Sequence, residues 1–254
     1  MKNQPGLLLL FLLLVGCKKE SIMRFSSKNF TEETFTICKT LSCPSITVNY
    51  IEALGEDSTS KKVNSEIVSF ITNALLTNKE RILKDLTISE AATEFLKVAR
   101  LHSADFPDMS AEYFADINIS ALYFSPELVS IEMRQYLYTG GAHGNEKTVF
   151  MNIDPQSGEK IISEDLFKNS LYFTNFAEKR FREAHNILPS ESINFTGFWF
   201  KNDIFYLPET IGFTKTNCIL RYDQYEIANY AEGPIELKIP IEEAKSYLNF
   251  KVTP

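Results

Sequence analysis

The chain has 254 residues, 44% hydrophobic and 13% aromatic, with 26 Lys plus Arg against 33 Asp plus Glu. That apolar content suffices for a sizeable core and argues against disorder, and the length suits one large domain or two ordinary ones. A net charge of -7 without a basic run offers little to neutralise phosphates, so nucleic acid is excluded as a partner.

Lys2 precedes an unbroken apolar run, Leu7 to Val15, of nine residues. In a helix that run rises about 14 Å, roughly half a bilayer core, so it is too short to span. It matches the central region of a secretory signal peptide instead. The next residues, Leu14-Val15-Gly16-Cys17, resemble the lipobox of bacterial lipoproteins, in which the cysteine is lipidated and the chain is cut just before it. The resemblance implies a signal peptide over residues 1–16, lipidation of Cys17, export, and a membrane partner held through that cysteine. Two or more acyl chains hold a protein stably on a membrane where one does not. Lys18 stands where Asp usually marks inner-membrane retention, so the same resemblance implies the outer membrane if the cell is Gram-negative. Cutting before Cys17 removes sixteen residues and one lysine, leaving 238 residues with 25 positive and 33 negative side chains.

Residues 17–37 read as a polar, aperiodic tether with the body starting near Cys38. Cys38 and Cys43 are close enough for a short disulfide, which an exported protein permits. Spacing favours that local pair, leaving Cys218 as a buried thiol. The alternative joins either early cysteine to Cys218. Ile46, Val48 and Tyr50 alternate with polar residues and predict a strand. Val63, Ile67, Phe70, Ile71 and Leu75 recur at helical spacing over 61–76. Thr87-Ile88-Ser89-Glu90 is a capping-box pattern that predicts a second helix to about Ala104. Residues 117–124 and 128–138 read as strands parted by a turn at Pro126. After the turn signal Gly140 to Asn145, Thr148 to Ile153 predicts another strand, and 171–186 a helix. Residues 198–200 and 204–207 flank Lys201-Asn202-Asp203 as a hairpin. Strands over 218–222 and 235–239 follow, then a helix from Pro240 through Leu248. The expected class is α+β, a two-part body of mainly antiparallel sheets packed by helices. The division expected is 38–135 and 136–254.

Several second-half motifs occur together. Tyr138-Thr139-Gly140-Gly141-Ala142-His143 resembles the YxGGAH signature of the extracellular domain shared by RsiV-type anti-sigma factors and PdaC-type peptidoglycan deacetylases. Ser157-Gly158-Glu159-Lys160, Glu164-Asp165-Leu166-Phe167, Phe198 to Tyr206 and Tyr225-Glu226-Ile227-Ala228 resemble later motifs of that domain, over about residues 136–250. Residues 40–135 resemble the N-terminal partner region of the same family. The sequence shows neither the deacetylase His and Asp motifs nor a sigma-binding segment with its membrane span. The resemblance therefore implies the binding module, which in RsiV binds lysozyme, rather than signalling or deacetylation.

The Gly140-Gly141 pair permits positive φ and close backbone approach. His143 beside it can donate to a ligand or hold the loop. Trp199 alternates with Phe198 and Phe200, so it is free to face solvent where they do not. With Tyr138, Asn145, Tyr225 and Tyr230, these residues form the candidate ligand-binding set, because exposed Tyr and Trp suit protein or glycan recognition. A lysozyme-like protein or peptidoglycan is the expected partner, and a net negative body favours encounter with a basic one. Catalysis is the minority reading: His143 with Glu146 as an acid/base pair, or His102 with Asp105 as metal ligands. With three His and no HExxH, GxSxG, P-loop or GxGxxG pattern, no cofactor, metal or catalytic residue is expected.

Overall fold

A computed structural model describes residues 23–77, 86–105 and 113–252. The expected signal peptide and Cys17 lie outside the described residues. The fold is α+β, with a five-stranded and a three-stranded sheet, each with its own apolar core.

The first sheet runs in chain order: β1 (Phe25–Thr31), β2 (Ser45–Ala53), β3 (Phe114–Phe124), β4 (Val129–Tyr138) and β5 (Asn145–Ile153). All neighbours are antiparallel except β2 and β3, which are parallel. A parallel pair needs a long crossover. Here α1 (Ser58–Leu75) and α2 (Ile88–Asp105) lie within it. Asp57 starts α1 by accepting from the Ser60 amide at 2.9 Å. That bond holds the Asp57 carboxyl below its ordinary pKa. Val63, Ile67, Ile71 and Leu75 then fall on one face at four-residue steps and are fully buried. The capping box at α2 forms in both directions: Thr87 N donates to Glu90 Oε2 at 2.8 Å, and Glu90 N to Thr87 Oγ1 at 3.2 Å. Ile46, Val48, Ala115 and Ile117 meet the helices from the sheet.

The second body contains α3 (Ser170–Ala184) and an antiparallel sheet of β6 (Thr210–Phe213), β7 (Asn217–Tyr222) and β8 (Ile235–Pro240). Its core is aromatic: Phe181 lies within 6.1 Å, centroid to centroid, of Phe198, Phe200, Phe205 and Tyr222. The Tyr222 hydroxyl donates to the Tyr206 carbonyl at 2.7 Å, giving a buried phenol its partner.

Four expectations are corrected. Phe25–Thr31 is a strand, not a tether. It looked aperiodic because it is an edge strand whose polar residues pair sideways, Lys28 with Glu52 and Asn29 with Asn49. Residues 198–207 form no hairpin: the Asn194 side chain takes both backbone groups of Phe200, at 2.7 and 2.9 Å, so no partner strand can. A short 3₁₀ turn with positive φ at Asn202 and Asp203 carries the chain on. The closing helix stops at Ala244 rather than Leu248. Beyond it the backbone bonds to residues 166–168 instead, with Lys168 N donating to Tyr247 O and Asn249 N to Leu166 O. Finally, the division at 135/136 falls inside β4, and β5 belongs to the first sheet.

The two bodies share a seam. Asn152 of β5 donates to the Ile211 carbonyl at 2.7 Å, and Phe213 N donates to Ser130 Oγ at 3.0 Å.

Candidate functional site

The seam continues to the end of the first sheet where β4 passes into β5, and most of the predicted residues meet there. Gly140 and Gly141 take φ of 90° and 103° in succession, which reverses the chain where a side chain would be strained. Tyr138 locks this turn by donating from its hydroxyl to the Gly141 carbonyl at 2.9 Å. Gly144 is needed for contact: a Cβ there would lie 2.5 Å from the Tyr136 ring. The loop therefore lies flat on Tyr136 and projects His143. The His143 Nδ1 is 3.2 Å from the Gly144 carbonyl.

The other side comes from the segment after β7. Tyr230 packs on the His143 ring at 4.3 Å with 31° between planes, and Tyr225 packs on Tyr230 at 5.4 Å and 39°. These offset ring contacts place three aromatic side chains in one row. Tyr225 is 59% exposed and has φ of 68°. A bulky side chain in the left-handed region is an outlier that its surroundings must enforce. They do: Glu226 Oε2 caps the Asp223 amide at 2.8 Å, and Gln224 Nε2 donates to the Tyr230 carbonyl at 2.9 Å. Trp199, 45% exposed, clamps the same turn, with its indole N–H on Glu226 O at 3.1 Å and its amide on Ile227 O at 3.0 Å.

Of the predicted set, His143, Tyr225 and Tyr230 form the row and Trp199 braces it. Tyr138, Gly140 and Gly141 shape the loop. Asn145 opens β5 opposite Leu137 and is exposed, and its side chain makes no hydrogen bond among the described residues. Glu146 does not pair with His143. Arg221 takes its carboxylate at 2.9 Å and that of Glu236 at 2.6 Å. His102 packs against Tyr113 at 5.5 Å. Among the described residues, no group of three or more His, Cys, Asp and Glu side chains is arranged to hold a metal. Cys38 and Cys43 form a disulfide, and Cys218 is a buried thiol whose pKa burial pushes up.

Sequence reasoning missed Asp223 and Glu226. Burial raises the pKa of both; for Asp223 it outweighs the nearby Arg221 and Lys147 cations and a hydrogen bond from the Thr148 amide. The signal was present as Asp223-Gln224-Tyr225-Glu226, whose three-residue spacing is that of a local cap.

Two family matches divide the chain near this seam. The family described as "Deacetylase PdaC" matches residues 37–146, and the one described as "Protein of unknown function (DUF3298)" matches residues 164–242. The first stretch is thus similar to the PdaC family and the second to the DUF3298 family. The PdaC-like stretch includes the His143 loop, and the DUF3298-like stretch supplies Tyr225 and Tyr230, so the row is built from both. No curated protein matches the chain. Among solved structures, a DUF3298-family member from Bacteroides fragilis is 21% identical with a TM-score of 0.67, covering 90% of this chain and 94% of its own. A DUF3298-family protein from Pseudomonas aeruginosa is 18% identical with a TM-score of 0.61, covering 91% and 96%. These likenesses establish a shared fold.

Proposed function

We propose that this is an exported, lipid-anchored cell-envelope protein that binds a lysozyme-like protein or cell-wall glycan through the His143–Tyr230–Tyr225 row. The observation that carries the reading is this row, open to solvent at His143 and Tyr225, built from both family regions and braced by hydrogen bonds. Ring faces stack on the C–H faces of sugars and on apolar or cationic side chains, and rigid anchors lose little entropy on binding. Orientation supports the same reading. Cys17 precedes Phe25 by eight residues, and Phe25 lies at the Ala53 and Phe124 end of the sheet. The loop after Tyr138 is at the Phe114 end, roughly 30 Å away along an eleven-residue strand. A lipid at Cys17 would hold the first end to the membrane and present the rings outward.

The test is calorimetric titration of the mature body with purified lysozyme and, separately, with muropeptides. Saturable binding of one of them is expected, weakened at least tenfold by Tyr230→Ala or His143→Ala. No saturable binding to either ligand would sink the recognition proposal. Fatty-acid labelling that survives Cys17→Ala would sink the anchor.

A further inference from the structure

A cleft of about 940 Å³ runs along the outer edge of β5, between α1 and the Phe205–Glu209 segment. Four consecutive strand residues, Val149 to Asn152, line it. Side chains alternate between faces, so a run of four shows that the strand presents its backbone edge to the cleft. β5 is the last strand of its sheet, and its inner edge pairs with β4 in unbroken register.

One bond shows which groups face outward: Ile161 N donates to the Asn152 carbonyl at 2.8 Å. Antiparallel residues alternate in the direction they bond, so Thr148, Phe150 and Asn152 all aim N–H and C=O away from β4. The Thr148 amide faces the Asp223 carboxylate. At the other end residues 159–161 form two ladder bonds, to Asp154 N and Asn152 O, and then leave the strand. Between these ends, Thr148 C=O, both backbone groups of Phe150, and Asn152 N–H have no hydrogen-bond partner among the described residues. Such an unpaired strand edge is a ready template for another strand.

We propose that the cleft docks an extended polypeptide segment, which adds to β5 as a further strand and continues the ladder begun by Ile161. Outward residues recur about every 6.8 Å along a strand, a repeat that another strand's amides match and that sugars and acyl chains do not. The rim selects charge. Lys160 is held by Glu66 at 2.7 Å. Glu164 and Glu209 also line the cleft and have no ion-pair partner among the described residues. The occupant is therefore a segment carrying Lys or Arg beside its paired stretch. This site is separate from the aromatic row and does not rest on the proposed ligand.

The test is amide hydrogen exchange, read by NMR, on the mature body with a pool of capped pentapeptides alternating Val, Ile or Thr with Lys or Arg. The Phe150 and Asn152 amides should slow at least tenfold at millimolar peptide, while Val149 and Met151, already bonded to β4, stay unchanged. N-methylating the peptide amides that face β5 should abolish the protection. Glu164→Lys with Glu209→Lys, two exposed positions, should weaken binding at least fivefold. His143→Ala should leave it intact, which separates this site from the aromatic one. Unchanged exchange at Phe150, equal protection by the methylated pool, or protection arising from dimerisation without peptide would each overturn the proposal.

Discussion

Gly212 packs against Phe150 across the seam, so alanine there probes the seam directly. A Cβ on Gly212 would stand 2.4 Å from Cγ and 2.5 and 2.7 Å from the Cδ atoms of Phe150. Carbon atoms pack at about 3.5–4.0 Å, so ring and strand must separate by roughly 1 Å. The ring has little room to yield, since Phe150 is buried and Cγ lies at its root. Gly212 is not among the positive-φ glycines, so backbone strain adds nothing. Overpacking costs about 1–3 kcal/mol, and contact at the root of the ring favours the upper half, about 2–3 kcal/mol. Urea unfolding followed by fluorescence of the sole tryptophan and by far-UV circular dichroism reads the loss. Phe150→Ala should itself cost about 3–5 kcal/mol. In that background Gly212→Ala should cost less than about 0.5 kcal/mol, a coupling that a double-mutant cycle isolates. Equal cost in both backgrounds would refute the argument, because the clash would then not be with Phe150.

Replacing Cys38 and Cys43 together by Ser opens a bridge of sequence separation 5; loop entropy predicts a loss of about 2 kcal/mol, measured as a urea midpoint shift. His185 packs on Phe181 and Phe198 at 4.4 and 4.8 Å, and burial lowers its pKa. The unfolded chain therefore binds the proton first as pH falls below about 6.5, and stability declines through that window down to the folded value. His185→Phe should flatten the decline in a series of melts from pH 7 to pH 5. Asp223 has the opposite sign: its raised pKa makes the folded state hold its proton longer, so its contribution declines as pH rises from about 4 through the folded value. Asp223→Asn should remove that slope, and an unchanged profile would show that its burial is not felt.

Elements with a strong local period were legible in the sequence, and those defined by distant partners were not. The stripe Val63, Ile67, Ile71 and Leu75 and the reciprocal Thr87–Glu90 cap each lie within one segment, and both helices follow them. β1 has no such period, since its stabilising partners Asn49 and Glu52 lie twenty or more residues on. The segment around Phe200 has strand-like composition, yet its fate was decided by one Asn194 side chain that occupies the backbone groups a hairpin needs. Propensity yields to such tertiary contacts as a rule.

The same division explains the site. Tyr138 and Gly141 are three residues apart and bond to each other, so the shape of the loop was readable as a turn. The row it serves was not, because His143 and Tyr230 are far apart in sequence and meet only across the seam. Arg221 holds that meeting in place: it binds Glu146 at the start of β5 and Glu236 on β8, joining the strand after the loop to the sheet whose β7–β8 connection carries Tyr230. A carboxylate beside a histidine in sequence suggested an acid/base pair, yet a more buried guanidinium from the other body captures it. Local spacing can nominate Glu146 and His143 as neighbours; only the packing of two cores against each other decides that one becomes a tie and the other a stacking surface.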